Sequence, residues 1–469
     1  MRWLRVTIAM AALSALAQAA NARVPAFVRQ TGLVCNQCHV AWTPVMDFTF
    51  TGVKFRLNGF RTPWVAEKIE AGDEGSVSGN RIVLTLGSML SWHARGLLIG
   101  ASSAPADPSA PSPTFGSPTT ALLNTIAMHY CGPIGEHIGI NNEFYMYGGG
   151  LGPVAAGGTT AAPTGSISPS GSRNGYIGLS HFEIYFTSNV NGNIWGIGAT
   201  TVPGTGAHGF MQITNDPTPN NMEHSPGVSG SASPYVYWGA YTFIADRLGI
   251  MIGVEPGEDN NDYRRFNYRV ETGYFFSNTD ANFLRLSAEF KAGDDMVPSV
   301  STLNAANDGV RTLVPADAIK GISATRATGT PLSSLNLGDA FRSYFSLGGG
   351  FVDRGPSSFD WSISQSLENE TYNDRSSSKW AAIGGQLAYY YDRTYGVVWH
   401  WSTYQTRNFT DQNGVLHNIP SDPEWSITVI RRLAMNFALY LAYGNSQTAA
   451  LDQKYQDGKN WGLYMQFLW

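Results

Sequence analysis

The chain has 469 residues, 43% hydrophobic, 12% aromatic and only 14% charged, with 52 glycines and a net charge of −5. Soluble globular domains carry about 25% charged residues, and a nucleic-acid partner requires a basic surface that this composition lacks. Mean hydropathy is −0.15, and no internal stretch supplies the ~20 apolar residues of a spanning helix, which excludes a helical membrane protein and leaves a large all-β protein.

The N-terminus has the layout of an export signal. Arg2 and Arg5 form a basic start, Val6 to Leu16 is an apolar run, and Ala17-Gln18-Ala19 and Ala20-Asn21-Ala22 are small-x-small cleavage sites. Such a run is too short to span a bilayer and reads as a signal peptide, residues 1–22. Cleavage is expected after Ala22, with Ala19 as the alternative. The mature chain is then expected in a bacterial envelope, outside the cytoplasm.

Three cysteines are too few for a disulfide scaffold. Cys35-Asn36-Gln37-Cys38-His39 reads C-x-x-C-H, the attachment signature of c-type haem. Two thioether bonds must reach two vinyl carbons on one porphyrin edge, and the adjacent histidine then supplies the proximal nitrogen. A redox C-x-x-C would belong to a thioredoxin-like βαβ pattern, and a zinc site would need two further ligands nearby. The next cysteine is Cys131, to which no role is assigned. One motif predicts one covalently bound haem c, held by Cys35, Cys38 and His39. Two residues are candidates for the distal face of the iron. Met46 follows His39 closely, and a Met ligand raises the potential, although a Met packed on the porphyrin face is an equal reading. His129 is expected to face a barrel lumen close to a short turn.

Residues 23–79 form a monohaem segment too small to build a stable core by itself. It is expected to pack in the mouth of a barrel as a plug. A second block closes this segment. Val24-Pro25-Ala26-Phe27-Val28-Arg29-Gln30-Thr31-Gly32 leads into the haem motif, and Gly52-Val53-Lys54-Phe55-Arg56-Leu57-Asn58-Gly59-Phe60 follows it. Both blocks resemble those of the fused cytochrome–porin family, the outer-membrane iron-oxidising cytochromes of iron-oxidising bacteria. The resemblance covers roughly residues 24–60. It implies a single-haem segment ahead of a porin-like barrel and oxidation of extracellular ferrous iron. It also implies electron transfer inward to periplasmic cytochromes or copper proteins. The family's second block commonly reads T-P-F-G-R, where this chain has Thr49-Phe50-Thr51-Gly52-Val53, without the Pro and Arg.

From about Asn80 to Trp469, apolar residues alternate with polar or small ones, the period-2 signature of strands. Tight connections are expected near Gly132-Pro133-Ile134-Gly135, Asn191-Gly192-Asn193, Asp246-Arg247, Asn278-Thr279-Asp280, Asp353-Arg354-Gly355, Asp392-Arg393 and Arg431-Arg432. Longer polar stretches lie between them, near 101–119, 149–173, 204–233, 256–262, 293–336, 369–378, 408–423 and 445–458. Short turns alternating with long loops predict an antiparallel transmembrane β-barrel of about 16 strands, porin-like, in the bacterial outer membrane and in contact with its lipid. The last strand puts Trp461, Leu463, Met465, Phe467 and Trp469 on one face and Gly462, Tyr464 and Gln466 on the other. Parity also turns Glu183 and Tyr185 inward and Val397, Trp399 and Trp401 outward. Carboxylates at Glu143, Glu183, Asp294 and Asp295 are candidate contacts for ferrous or ferric iron, a hard cation in its ferric form. The competing readings are a porin-type channel with a structural haem plug, electron export to external acceptors, and a secreted soluble haem protein.

Overall fold

The computed structural model describes residues 26–33, 35–39, 48–62, 76–78, 82–83, 89–102, 119–134, 136–147, 178–201, 236–256, 266–277, 279, 282–294, 337–372, 377–410, 414–418, 423–434, 437–444 and 460–468. The export signal, Met46, Asp295 and Trp469 lie outside these residues.

Among the described residues, sixteen long strands form the wall, and a three-residue strand, Leu416–Asn418, pairs with the loop end of the thirteenth. The first eight are β1 Leu90–Ser102, β2 Thr119–Ile134, β3 Ile138–Tyr147, β4 Gly178–Val190, β5 Asn193–Thr201, β6 Val236–Ile244, β7 Leu248–Pro256 and β8 Phe266–Phe275. The second eight are β9 Asn282–Asp294, β10 Leu337–Arg354, β11 Ser357–Tyr372, β12 Ser377–Tyr391, β13 Tyr395–Thr410, β14 Glu424–Ala434, β15 Phe437–Gly444 and β16 Asn460–Leu468. Each strand pairs antiparallel with its sequence neighbours, and β16 pairs with β1 to close the ring. Closure leaves no unpaired edge, which is what a sheet needs in order to cross lipid. A short ribbon, Ser76–Ser78 with Ile82–Val83, precedes the wall. Ahead of it lie three short helices, α1 Ala26–Thr31, α2 Cys35–Cys38 and α3 Phe50–Leu57.

The predicted alternation sets the two faces. On β16, Tyr464 and Gln466 are buried inside, while Trp461, Leu463, Met465 and Phe467 hold the other parity. Phe186, Trp195, Ile197, Trp238, Ile252 and Leu284 stand exposed on the outer surface. In water such a belt would be a large apolar liability; around a closed antiparallel barrel it is the lipid-facing band of the outer-membrane type. Trp399, 45% exposed, faces out between the buried Val398 and the half-buried His400, as parity required.

Seven short connections lie at one end of the barrel, and those at the other end are longer apart from the one between β11 and β12. Both β1 and β16 have their chain-terminal ends on the short-turn side, so the segment ahead of β1 enters there. In outer-membrane barrels the short turns are periplasmic. The tightest turn has Asn191 at φ 53° and Gly192 at φ 80°. Two successive positive φ values make a type I′ turn, whose twist matches the flanking strands. Ala245 with Asp246, and Asp392 with Arg393, hold the same sign without glycine.

Three connections differ from expectation. Strand β2 runs on through Ile134, with Pro133 opposite Gly139, so the turn follows it and includes Glu136 and His137. Gly132, at φ 145°, takes up the irregular backbone that lets pairing continue there. Arg431 and Arg432 lie inside β14, which stays paired with β15 out to Ala434 with Phe437. The Arg431 guanidinium lies 3.7 Å from the centroid of the Tyr395 ring, so it acts as a cross-strand partner and not as a turn residue. The loop expected near 369–378 shrinks to 373–376, because β11 and β12 stay paired from Thr371 with Ser377 downward.

Candidate functional site

The N-terminal segment packs inside the barrel at the short-turn end. Its third helix starts at Thr49, whose hydroxyl caps the helix by accepting from the Gly52 amide at 3.1 Å. That cap satisfies an otherwise orphaned donor. The helix buries Phe50, Val53, Phe55 and Leu57. Phe50 meets Phe243 and Phe275 with ring centroids 6.2 and 5.5 Å away, and Phe60 meets Tyr185 at 5.5 Å. Those partners belong to β6, β8 and β4, so the segment spans from one part of the inner wall to another. Gly139 on β3 completes the fit: a Cβ there would collide with the backbone of Gly59.

Polar anchors fix this apolar fit in register. Arg56 donates to the Glu183 carboxylate, with both side chains almost fully buried. Burial would by itself lower the Arg56 guanidinium, but Glu183 beside it more than reverses that, and Arg56 is held above its ordinary value. Asn141 supplies a second donor to Glu183 at 3.1 Å. Lys54 pairs with Asp246 at 2.8 Å, and the Tyr241 hydroxyl donates to the Leu57 carbonyl at 2.7 Å. Arg61 donates to the Ile138 carbonyl and lies against Thr187; burial pushes its guanidinium down. Gln30, on α1, donates to the Cys131 carbonyl on β2 at 2.9 Å. Arg285, on β9, donates to the Phe48 carbonyl at 3.0 Å. These contacts reach β2, β3, β4, β6 and β9, as well as the turn after β6.

The C-x-x-C-H motif lies within this anchored segment. Cys35–Cys38 is one helical turn, and on a helix residues i and i+3 share a face. His39 follows directly and forms an isolated bridge with Phe48, their rings 4.8 Å apart. The Thr49 amide donates to the Cys38 carbonyl at 2.9 Å, and the Thr49 hydroxyl donates to Gln37. Gly52 presses against this turn, where any Cβ would collide with the Cys38 carbonyl. Cys38 packs against the core formed with the barrel wall and is in no disulfide. Two cysteines at i and i+3 of one helical turn, followed directly by a histidine, are the residue set that covalent haem c requires. The residues present therefore fit the group.

The other expected site residues fall as follows. His129 is half-buried on β2, on the inward row of Ala127 and Cys131. Glu143 lies opposite His129 on one side and His181 on the other, so a single cross-strand row carries His, Glu and His. Glu183 faces inward as expected, but its carboxylate is engaged by Arg56 and Asn141. That makes it an anchor of the plug, a role the sequence did not reveal. Asp294 ends β9, opposite Asp339. Also missed were Lys54, Arg56 and Arg61. The sequence signal for them was present as three cations within an otherwise apolar block.

No family model matches this chain, and no curated protein matches it. It is similar in structure to a loop L8 deletion mutant of OmpT, an outer membrane protein of Vibrio cholerae. That likeness has 11% identity and a TM-score of 0.44, and it covers 81% of this chain and 98% of that one. It is also similar to the outer membrane channel DcaP of Acinetobacter baumannii, at 11% identity and TM-score 0.43, over 81% of this chain and 96% of that one. Salmonella typhi OmpF in complex with daunomycin is similar at 9% identity and TM-score 0.44, over 81% and 97% of the two chains.

Proposed function

We propose that this chain is an outer-membrane c-type cytochrome that oxidises extracellular ferrous iron and delivers single electrons to a periplasmic cytochrome or copper protein. The observation that carries this reading is the placement of the C-x-x-C-H turn inside a barrel, in a segment bound to the wall by buried ion pairing. Cys35 and Cys38 would hold the group through thioether bonds, and His39 would ligate its iron. When bound, haem c supplies one-electron chemistry at its iron. The chain's own residues do the rest. The outer membrane is an insulator with a hydrocarbon core about 30 Å thick. A redox segment recessed into the barrel reduces the separation from an external donor, and Arg56, Lys54 and Arg61 hold the segment at that depth. Phe50, Phe55, Phe60 and Tyr185 exclude water around it, which tunes the potential of any redox group held there. Met46 and His129 remain the candidates for the distal position.

Ferrous iron would meet the inner wall at the row His129–Glu143–His181. That row lies two residues, about 7 Å, loopward of the Glu183 anchor. A mixed nitrogen and carboxylate set suits ferrous iron, and the ferric product must leave, so weak binding is expected. Asp294 ends β9 on the loop side, where an acidic rim would concentrate cations; Asp295 remains a candidate beside it in sequence.

The test is an anaerobic visible spectrum of detergent-purified, oxidised protein before and after ferrous iron is added. Sharp reduced c-haem bands are expected within the mixing time. A covalent haem that dithionite reduces and ferrous iron does not, at any pH, defeats the iron-oxidase reading. The closed porin-like wall favours a second reading, a channel with a structural haem plug. Ion conductance by the full-length chain, with a haem inert to ferrous iron, would put that reading first.

A further inference from the structure

The outer surface carries a feature that an apolar lipid-facing band does not account for. At the short-turn rim, one register row runs across five strands: Arg354 with Ser357, Ser357 with Tyr391, Tyr391 with Tyr395, Tyr395 with Arg431. Paired residues share a face, and this one is the outer face, since Tyr391 and Tyr395 are each 50% exposed. Arg431 is flanked on its own strand by Val429 and Leu433, each 48% exposed and turned outward. A cation therefore sits on the lipid-facing row at the edge of the apolar band. Its guanidinium is stacked on the Tyr395 ring at 3.7 Å, which orients the planar fork. Its Nη1 is buried and has no hydrogen-bond partner among the described residues. Asp353, the nearby turn carboxylate, is engaged by Arg393.

A guanidinium at this depth needs an anion, and water reaches one of its nitrogens poorly. We infer that Arg431, with Tyr391 and Tyr395 beside it, binds the phosphate of a phospholipid in the periplasmic leaflet. Arginine is the side chain suited to forked contact with phosphate. The aliphatic stem lies along the apolar band while the head reaches the headgroup layer. The tyrosine rings sit where aromatic girdles mark the interface. The lipid source is favoured over dissolved phosphate because Val397 and Val429, paired one outward step loopward of Tyr395 and Arg431, continue the site directly into the acyl region. A firmly held lipid here would fix the barrel's height in the membrane, on the side where the plug enters.

The experiment is native mass spectrometry of the full chain after detergent exchange. The probes are phosphatidylglycerol, diacylglycerol of the same chain length and inorganic phosphate. The intact protein is expected to retain phosphatidylglycerol and not diacylglycerol, and inorganic phosphate in excess is expected not to displace the lipid. Arg431→Gln is expected to lower retention about fivefold, the worth of one cation at an anionic surface, while Arg431→Lys keeps most of it. Should Arg431→Gln fail to fold, Tyr395→Leu keeps the charge, removes the stack and is expected to lower the same ratio. Equal retention by folded Arg431→Gln overturns the inference. So does displacement by inorganic phosphate, which would make this a dissolved-anion site. Loss of a multimer with unchanged lipid would instead make the row a contact between copies of this chain and overturn it as well.

Discussion

The Arg56–Glu183 pair decides whether the plug is a bound part of the barrel or a loose tail. Both groups have left water, and desolvating two charges costs several kcal/mol each unless they meet in good geometry with their other atoms satisfied. Here Asn141 adds a donor to the carboxylate, and the guanidinium lies 6.0 Å from the Phe48 ring centroid and 5.9 Å from that of Tyr185. Removing one partner leaves a stranded charge, which costs about 3–5 kcal/mol. Glu183→Gln is therefore expected to release the N-terminal segment to limited proteolysis while the barrel keeps its heat-resistant mobility in gels. Replacing both residues, Arg56→Met with Glu183→Met, is expected to restore protection, since a well-packed apolar pair carries no stranded charge. Proteolysis equally slow in Glu183→Gln and the parent chain would mean that aromatic packing by Phe50, Phe55 and Phe60 suffices to hold the plug.

At the scale of elements, the strands were legible because alternation and turn chemistry agreed. Asn191-Gly192 marks a hairpin by its backbone demands, and Tyr464 with Gln466 marks the inner face of β16 by parity. The turn near Gly132 was misplaced because proline normally ends a strand, whereas Pro133 here continues beside a glycine with positive φ. Arg431-Arg432 looked like a polar turn because sequence does not show that an arginine stacks on a tyrosine of the next strand. The plug's anchors were hidden for a different reason. Arg56 and Glu183 are 127 residues apart, and local pattern carries no information about such a pair. The lipid face, by contrast, yields a direct prediction. Val397, Val429, Leu441 and Leu463 form one outward row across β13 to β16. A lysine in that row, near mid-height, is expected to cost about 2–4 kcal/mol of folding stability in a bilayer. Leu441→Lys should therefore lower folding yield into liposomes, and Leu416→Lys, on the three-residue strand Leu416–Asn418 at the loop end of β13, should not.

For the whole molecule, the question is how one wall can be both a pore and an insulating sleeve. A barrel of this strand number leaves an aqueous channel if nothing fills it. Here Phe50, Val53, Phe55, Leu57 and Phe60 form one core with Leu97, Tyr185, Phe243, Phe275, Tyr390, Tyr440 and Tyr464, contributed by strands all round the ring. A plug that shares its core with the wall on several sides obstructs solute while holding the Cys35–His39 turn in place. Deleting 26–62 is thus expected to raise single-channel conductance in planar bilayers well above that of the full-length chain and to abolish covalent haem attachment together with it. Cys35→Ser with Cys38→Ser separates the two effects: haem attachment is expected to disappear while conductance stays near the parent value, because the anchors at Arg56, Arg61 and Gln30 are untouched. High conductance from the full-length chain would contradict this and favour a solute channel. Low conductance in the parent, a large rise on deletion, and little change in the double cysteine variant would together mean that the fold closes a pore around a redox segment. A protein that carries electrons and no solute across an outer membrane requires that arrangement.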